Sequence, residues 1–181
     1  GTTGGSPDSP RNLYLNTNDA AQSDRIIRQI NATTLNLQSA ASANSNGDNY
    51  VLYCFKEVQG YSKFGHYEGN GNANNDGPFI YTGFKPNWLL VKASAGTTQN
   101  WQLWDMKRHS SSYDIGNPRV RTLSPSVSNA ESGDYSVDFY ATGFKIRDTD
   151  SAWNGDGNTY FYMAFADKPH VSSTGVPTTA F

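Results

Sequence analysis

Gly157-Asn158-Thr159-Tyr160-Phe161-Tyr162-Met163-Ala164-Phe165 is the stretch that decides the fold. Six of its residues, Tyr160 to Phe165, form an unbroken aromatic and apolar run. The turn-forming sequence Asn154-Gly155-Asp156-Gly157 precedes it, which is how a short buried strand is punctuated. The same pattern stands 110 residues earlier as Gly47-Asp48-Asn49-Tyr50-Val51-Leu52-Tyr53-Cys54-Phe55. A strand that recurs with its leading turn makes the chain a repeat of one strand-rich unit.

Other positions keep the same step. Arg11 falls on Arg121, Leu13 on Leu123, Ala20 on Ala130 and Asp24 on Asp134. With one residue deleted, Ala32-Thr33 falls on Ala141-Thr142, and Leu35 and Leu37 meet Phe144 and Ile146. Residues 1–58 therefore read as the C-terminal portion of a truncated unit, 59–168 as a complete unit, and 169–181 as a tail. Gly1 in place of an initiator Met leads to the expectation that the chain was cut from something longer. Two arrangements of the partial copy are open: it folds like 121–168, or it adds extra strands to the complete unit. The second is preferred, because half a sandwich alone leaves its edges unpaired.

Working outward, Phe79 to Thr82, Trp88 to Lys92, Trp101 to Trp104, Ser136 to Tyr140 and Phe144 to Arg147 are further short β-branched or aromatic runs. Gly, Asn, Asp and Pro bound them, as in Asn75-Asp76-Gly77-Pro78. Short strands at such spacing predict an all-β antiparallel sandwich or jelly roll. Ser23 to Ile30 offers an N-cap and near-helical apolar spacing. The repeat overrides it, since Arg28 to Thr33 align with the alternating Val137 to Thr142, and strand is expected there. Trp101 and Trp104 stand an odd number of residues apart, so they point to opposite faces and at least one belongs to the core.

Hydrophobic residues make up 36% of the chain and aromatic ones 13%, which supplies a core from Tyr, Phe and Trp. Charged residues are 17% with a formal net charge of -2, leaving no electrostatic basis for binding nucleic acid. No stretch reaches the ~18 apolar residues of a membrane span, so membrane insertion is not expected. Gly1-Thr2-Thr3-Gly4-Gly5 lacks the regions of a signal peptide. Cys54 is the one cysteine and lies in an apolar run, so a buried thiol is expected.

The sharpest polar cluster is Asp148-Thr149-Asp150-Ser151-Ala152-Trp153-Asn154-Gly155-Asp156-Gly157. Oxygen side chains recurring in a Gly-containing loop suit a hard cation, which makes Asp148, Asp150 and Asp156 the candidate ligands for Ca²⁺. Thr159 stands where an EF-hand needs its bidentate Glu, and the matching stretch Gln38 to Gly47 holds no carboxylate. A connecting turn rich in Asx residues accounts for both copies, and no cofactor is expected. An exposed Trp153 beside Asp150 and Asn154 would make a sugar platform, the ring on the apolar sugar face and the polar groups on hydroxyls. The competing reading has Trp153 capping the end of the sandwich.

Catalytic patterns are weaker. His66, His109 and His170 show no HExxH spacing, and there is no Gly-x-Ser-x-Gly elbow. The Gly-rich run Gly65 to Gly77 lacks Gly-Lys-Ser/Thr and reads as a loop. Asp105, Glu131, Asp138 and Asp150 are carboxylates that a glycosidase would need to bring together, and spacing singles out no pair. A protein without enzymatic activity is expected.

Gly60-Tyr61-Ser62-Lys63-Phe64-Gly65-His66-Tyr67-Glu68-Gly69-Asn70-Gly71, followed by Asp76-Gly77-Pro78-Phe79-Ile80-Tyr81-Thr82-Gly83-Phe84-Lys85-Pro86-Asn87-Trp88-Leu89-Leu90-Val91-Lys92, resembles a repeat domain of tailed-bacteriophage virion proteins, marine phages in particular. Tyr160 to Ala166 and Gly175-Val176-Pro177 resemble the close of those chains. The resemblance covers most of residues 47–181 and brings with it no established catalytic or ligand residue. It implies a concanavalin-like sandwich, repeated near the C-terminus of a structural or fibre-like protein on the virion surface. The expected partners are other virion subunits, copies of the same chain in a homo-oligomer, a trimer before other states, and host-surface glycan. The leading expectation is a tail fibre or receptor-binding tip for host attachment through carbohydrate binding. The alternatives are a capsid decoration module without glycan binding and a polysaccharide depolymerase.

Overall fold

The computed structural model describes residues 11–22, 26–38, 42–72, 76–108, 121–133 and 137–168. Expectations placed on residues 1–10, His109, His170, Ser136 and the tail 169–181 lie outside the described residues. The fold is all-β. Its strands are β1 (Ile27–Ile30), β2 (Leu35–Leu37), β3 (Ser62–Glu68), β4 (Phe79–Tyr81), β5 (Trp88–Ala95), β6 (Gln102–Asp105), β7 (Val137–Tyr140), β8 (Gly143–Ile146) and β9 (Thr159–Phe165). They form three antiparallel sheets: β3-β9-β5-β6, β4-β8-β7 and β1-β2. Among the described residues no sheet closes into a barrel or curls over as in a jelly roll, and no helix is long and apolar enough to cross a membrane.

The stretch quoted first is β9, and it occupies the middle of the four-stranded sheet. Ser62↔Phe165 through Glu68↔Thr159 pair it with β3, and Trp88↔Phe165 through Ala95↔Thr159 pair it with β5. Paired on both sides, it has every reason to be aromatic and apolar throughout. Tyr160, Tyr162 and Ala164 face inward beside Leu89, Val91, Ala93 and Tyr67. Ile80, Val137, Phe139, Phe144 and Ile146 of the three-stranded sheet belong to the same core. Tyr67 stacks on Tyr160 at 5.2 Å, and Phe144 meets Tyr162 edge-on at 5.4 Å. Each such apolar side chain contributes about 1.5–3 kcal/mol by leaving water.

Trp101 and Trp104 are both buried. Trp104 lies in the main core, whereas Trp101 sends its Nε1–H to the carbonyl of Tyr14 at 2.8 Å. The N-terminal segment thus covers part of the sheet's other face. Ala21 N donates to Ser94 O at 3.0 Å, and the buried Lys92 amine donates to the carbonyls of Asn18 and Ala93. Burial lowers the pKa of that amine, and the carboxylate of Asp19 opposes the shift.

The partial copy repeats the hydrogen bonding of the complete one at the same 110-residue step. The bridge Asn12↔Gln22 matches Thr122↔Ser132, and Ile27↔Leu37 matches Val137↔Ile146 once the one-residue deletion is counted. Asp48 N to Ser45 O matches Asn158 N to Gly155 O. The Tyr50 hydroxyl accepts from Ser45 N at 2.9 Å as that of Tyr160 accepts from Gly155 N at 2.8 Å. Gly47 and Gly157 both adopt positive φ, 87° and 67°, the left-handed turn glycine tolerates.

Three expectations need correction. Tyr50 to Phe55 forms no strand and is exposed throughout, with Val51 and Tyr53 each 79% accessible. Its counterpart β9 is held by β3 and β5, whereas among the described residues Tyr50 to Phe55 pairs with no strand, and only the Phe55 ring finds aromatic neighbours, Phe165 at 5.9 Å and Phe64 at 6.3 Å. Cys54 is exposed for the same reason, although Ala164 at the matching place is fully buried. The Gly-rich run begins not as a loop but inside β3. There Gly65 lies across from Tyr162, where a Cβ would come within 2.9 Å of the ring. As for the partial copy's other residues, β1 and β2 pair with each other and add no strand to either larger sheet. Arg28 to Ile30 belong to β1, and residues 31–34 make its turn.

Candidate ligand-binding face

The loop singled out for chemistry is a structural clasp. Asp150 N and the Trp153 indole N–H both donate to Asp148 Oδ1, at 2.9 and 2.5 Å, and Ala152 N donates to Asp150 Oδ1 at 2.8 Å. These are Asx turns of the kind that shape a connection. Asn154 is fully buried: its amide donates to the carbonyls of Asp148 and Asn72, and its Oδ1 accepts from Asn70 N. Gly69 N to Asn158 O, Gly71 N to Asn154 O and Gly157 N to Gly69 O lace this loop to residues 69–71. Among the described residues no three of His, Cys, Asp or Glu converge to hold a metal ion, so Asp148, Asp150 and Asp156 do not come together as a cation site.

Trp153 is only 3% accessible. Its ring meets Trp104 edge-on at 5.6 Å, and its carbonyl accepts from the buried Tyr67 hydroxyl. It offers no free face to a sugar. Burial pushes the Tyr67 hydroxyl well above the ordinary phenol pKa, with Tyr160 and Asp148 adding to the shift. Of the carboxylates considered for hydrolysis, Asp150 caps its own loop and the other three are held by arginines. Arg108 bridges Asp105 and Glu131, and Arg147 Nη1 lies 3.2 Å from Asp138 Oδ2.

An aromatic surface exists elsewhere, on the outer face of the three-stranded sheet. Alternation along β4 sends Ile80 into the core and leaves Phe79 and Tyr81 outside, 49% and 64% accessible. Along β7, Val137 and Phe139 face the core while Tyr140 lies outside, 40% accessible. The register places Tyr81↔Gly143↔Tyr140 in one row and Phe79↔Lys145↔Asp138 in the next. Gly143 opens the middle of the patch. The Phe79 ring lies within 2.9 Å of where a Cβ would stand, and it meets Tyr140 edge-on at 5.9 Å.

Polar groups border these rings. The Tyr140 hydroxyl donates to Asp138 Oδ2 at 3.0 Å; burial and then this bond raise the phenol's pKa. Asp138 Oδ1 is buried without a donor, an acceptor left over beside Tyr140. At the other edge Tyr81 lines a groove of about 410 Å³ with Glu57, Gln59, Ser62, Lys63 and Thr82. Lys63 Nζ lies 3.0 Å from Glu57 Oε2, and that bond, with one from Phe64 N, lowers the Glu57 pKa. A second hollow of about 450 Å³, lined by Arg11, His66, Ser94 and Phe161 among others, lies over the four-stranded sheet.

Sequence reasoning placed the aromatic site on the one Trp found in a polar loop and passed over Phe79, Tyr81 and Tyr140. The signal that could have found them is the alternation itself, in which aromatics flank a core Ile or Phe. Residues 6–169 match the family described as Domain of unknown function (DUF7483), and the chain belongs to that family. No curated protein and no solved structure matches it.

Proposed function

We propose that this chain is a non-enzymatic module on the outer surface of a tailed-phage particle, and that it holds host-surface glycan on the outer face of β4-β8-β7. The observation that carries the binding reading is the contiguous aromatic patch Phe79, Tyr81 and Tyr140 with its polar border. Aromatic faces stack on the C–H face of a pyranose, and Lys145 and Arg147 supply hydroxyl partners. The virion assignment rests on the resemblance of residues 47–181 to tailed-phage repeat domains. The unit's architecture in this reading is a concanavalin-like sandwich, supported by one core that draws on both larger sheets. Single sites of this kind bind weakly, and copies on a symmetric oligomer, a trimer above all, convert weak sites into firm attachment.

A glycan array followed by titration, watching tyrosine ring resonances, tests the binding reading. Tyr81→Ala and Phe79→Ala are expected to remove binding and leave the melting temperature within a few degrees of the parent. Absence of binding to any host-surface glycan by the assembled protein, or binding that survives both substitutions, overturns it. A second reading, packing among virion subunits without glycan, is favoured by the exposed apolar run Tyr50 to Phe55.

A further inference from the structure

The hollow of about 450 Å³ over the four-stranded sheet lies where the partial copy meets the complete one. Its floor is the outer face of β3, β9 and β5. Tyr67, Tyr160, Val91 and Ala93 turn to the core, which leaves His66, Phe161 and Ser94 on the other side. Register sets His66↔Phe161↔Lys92 in one row across the three strands. The wall is the N-terminal segment, which contributes Arg11, Leu13 and Ala21 around the bridge Asn12↔Gln22. That segment is pinned to the sheet by Ala21 N donating to Ser94 O at 3.0 Å and Lys92 Nζ donating to Asn18 O at 3.3 Å.

Charge here is one-sided. Arg11 and His66 face the hollow, the Lys92 amine is buried beside it, and among the described residues no acid lines it. Nor does any of these three basic groups form an ion pair among the described residues. The acids of the neighbouring elements are Glu68, at the end of β3 across from Thr159, and Asp19, whose charge acts on Lys92. The complete unit shows the same arrangement with an acid built in. Arg121, Leu123 and the bridge Thr122↔Ser132 repeat Arg11, Leu13 and Asn12↔Gln22, and at the same step Ala21 falls on Glu131, whose carboxylate accepts from Arg108. The partial copy keeps the arginine and the leucine and has a methyl group where that carboxylate stands.

We propose that this hollow binds a small organic carboxylate. Arg11 takes the carboxylate in a forked ion pair, His66 donates a ring N–H to it, and Phe161 and Leu13 hold the ligand's apolar body. Apolar walls with a few convergent polar groups are the usual make-up of a small-molecule site. The ligand does from outside what Glu131 does from within the complete unit. The hollow lies across the core from the outer face of β4-β8-β7, so the inference does not rest on the glycan reading.

Benzoate, whose ring suits Phe161 and Leu13, is the probe, titrated into the full chain while NMR follows the His66 and Phe161 rings and the Ala21 and Ser94 amides. Saturable shifts confined to this hollow, with a Kd of ~1 mM or tighter, are expected. Benzamide, of the same shape without the charge, is expected to bind ~10-fold or more weakly, and Arg11→Gln to weaken benzoate by a similar factor at an unchanged melting temperature. Ala21→Glu gives the hollow its own carboxylate and is expected to abolish binding, whereas the uncharged Ala21→Gln retains it. No saturable shift with benzoate, or benzamide binding as tightly, overturns the proposal. Equal loss in Ala21→Glu and Ala21→Gln also counts against it, by making size and not charge the cause. Inorganic phosphate that displaces benzoate at lower concentration overturns the carboxylate assignment in favour of a phosphate ligand. Tyr81→Ala is expected to leave benzoate binding unchanged, so failure here and failure of the glycan proposal are separable.

Discussion

Replacing Trp153 by Ala separates a buried cap from an exposed platform. The side chain is almost wholly out of water, lies edge-on to Trp104 at 5.6 Å, and donates its N–H to Asp148 Oδ1 at 2.5 Å. Truncating a buried Trp costs about 3–5 kcal/mol, of which the aromatic pair accounts for about 0.5–1.5. Against a total stability of about 5–15 kcal/mol this is a large fraction. In a chain of this size it lowers the melting temperature by roughly 6–20 °C. Trp153→Phe keeps a ring against Trp104 and loses the N–H donor. Asp148 Oδ1 still accepts from Asp150 N, so the cost falls to about 1–3 kcal/mol. Urea unfolding followed by near-UV circular dichroism measures both, and the order parent, Phe, Ala is the required result. An Ala variant within about 0.5 kcal/mol of the parent, the range of surface substitutions, would refute the reasoning and put the indole back in solvent.

Gly69→Ala drives a Cβ into the carbonyl oxygen of Gly155 and so prises the loop 148–158 from residues 69–71. A loss of at least about 2 kcal/mol is expected, with faster amide exchange at Gly71 and Gly157. Asn154→Ala strips partners from Asn70 N and the carbonyls of Asp148 and Asn72, costing about 2–3 kcal/mol by chemical denaturation. Burial alone would raise the Asp105 pKa, but hydrogen bonds from the Arg108 side chain and from the backbone of Arg108 and Lys107 outweigh it and hold the carboxyl below its ordinary value. Its stabilisation is therefore complete above the unfolded value of ~3.9 and is lost as pH falls through the lower folded value. Asp105→Asn should flatten the fall of the urea midpoint between about pH 5 and pH 2, and an unchanged slope would count against the assignment.

Strands whose two faces differ announced themselves. Phe79 to Tyr81, Val137 to Tyr140 and Gly143 to Ile146 alternate because one side meets the core and the other does not, and alternation is a local property of sequence. The repeat was legible for a related reason: turn, strand and tyrosine recur together because they solve the same local problem twice. Two features escaped. β3 hides behind Gly65, whose missing side chain makes room for Tyr162 on the neighbouring strand, so a packing requirement from 97 residues away reads as a loop signal. Tyr50 to Phe55 reads as strand and is none, because strand character in a sheet is conferred by neighbours. The Trp153 platform failed differently. The polar residues beside it in sequence are polar because they satisfy its indole and the loop's own backbone, which from sequence alone cannot be told from a site offered to a ligand.

The outer face of the hairpin in the partial copy bears on how many sites the proposed glycan reading predicts. At the repeat step, with the deletion counted, Arg28, Ile30, Thr34 and Asn36 stand where the complete unit has Asp138, Tyr140, Gly143 and Lys145. Ile30 takes the place of the Tyr140 ring. Thr34 takes that of Gly143, where a Cβ would collide with the carbonyl oxygen of Ile80 and crowd the Phe79 ring. The two copies have thus kept the same inward pattern and parted on the outward one. Core-facing and outward-facing residues alternate along the same strands, so the inward pattern can match while the outward one differs. Under the proposed glycan reading the chain binds one glycan per copy, because the hairpin β1-β2 lacks the ring that Tyr140 supplies. Isothermal titration with a ligand of the complete unit is expected to return a stoichiometry near one, abolished by Tyr81→Ala. A value near two would mean that the hairpin β1-β2 binds without an aromatic counterpart of Tyr140, and the aromatic patch would no longer account for recognition.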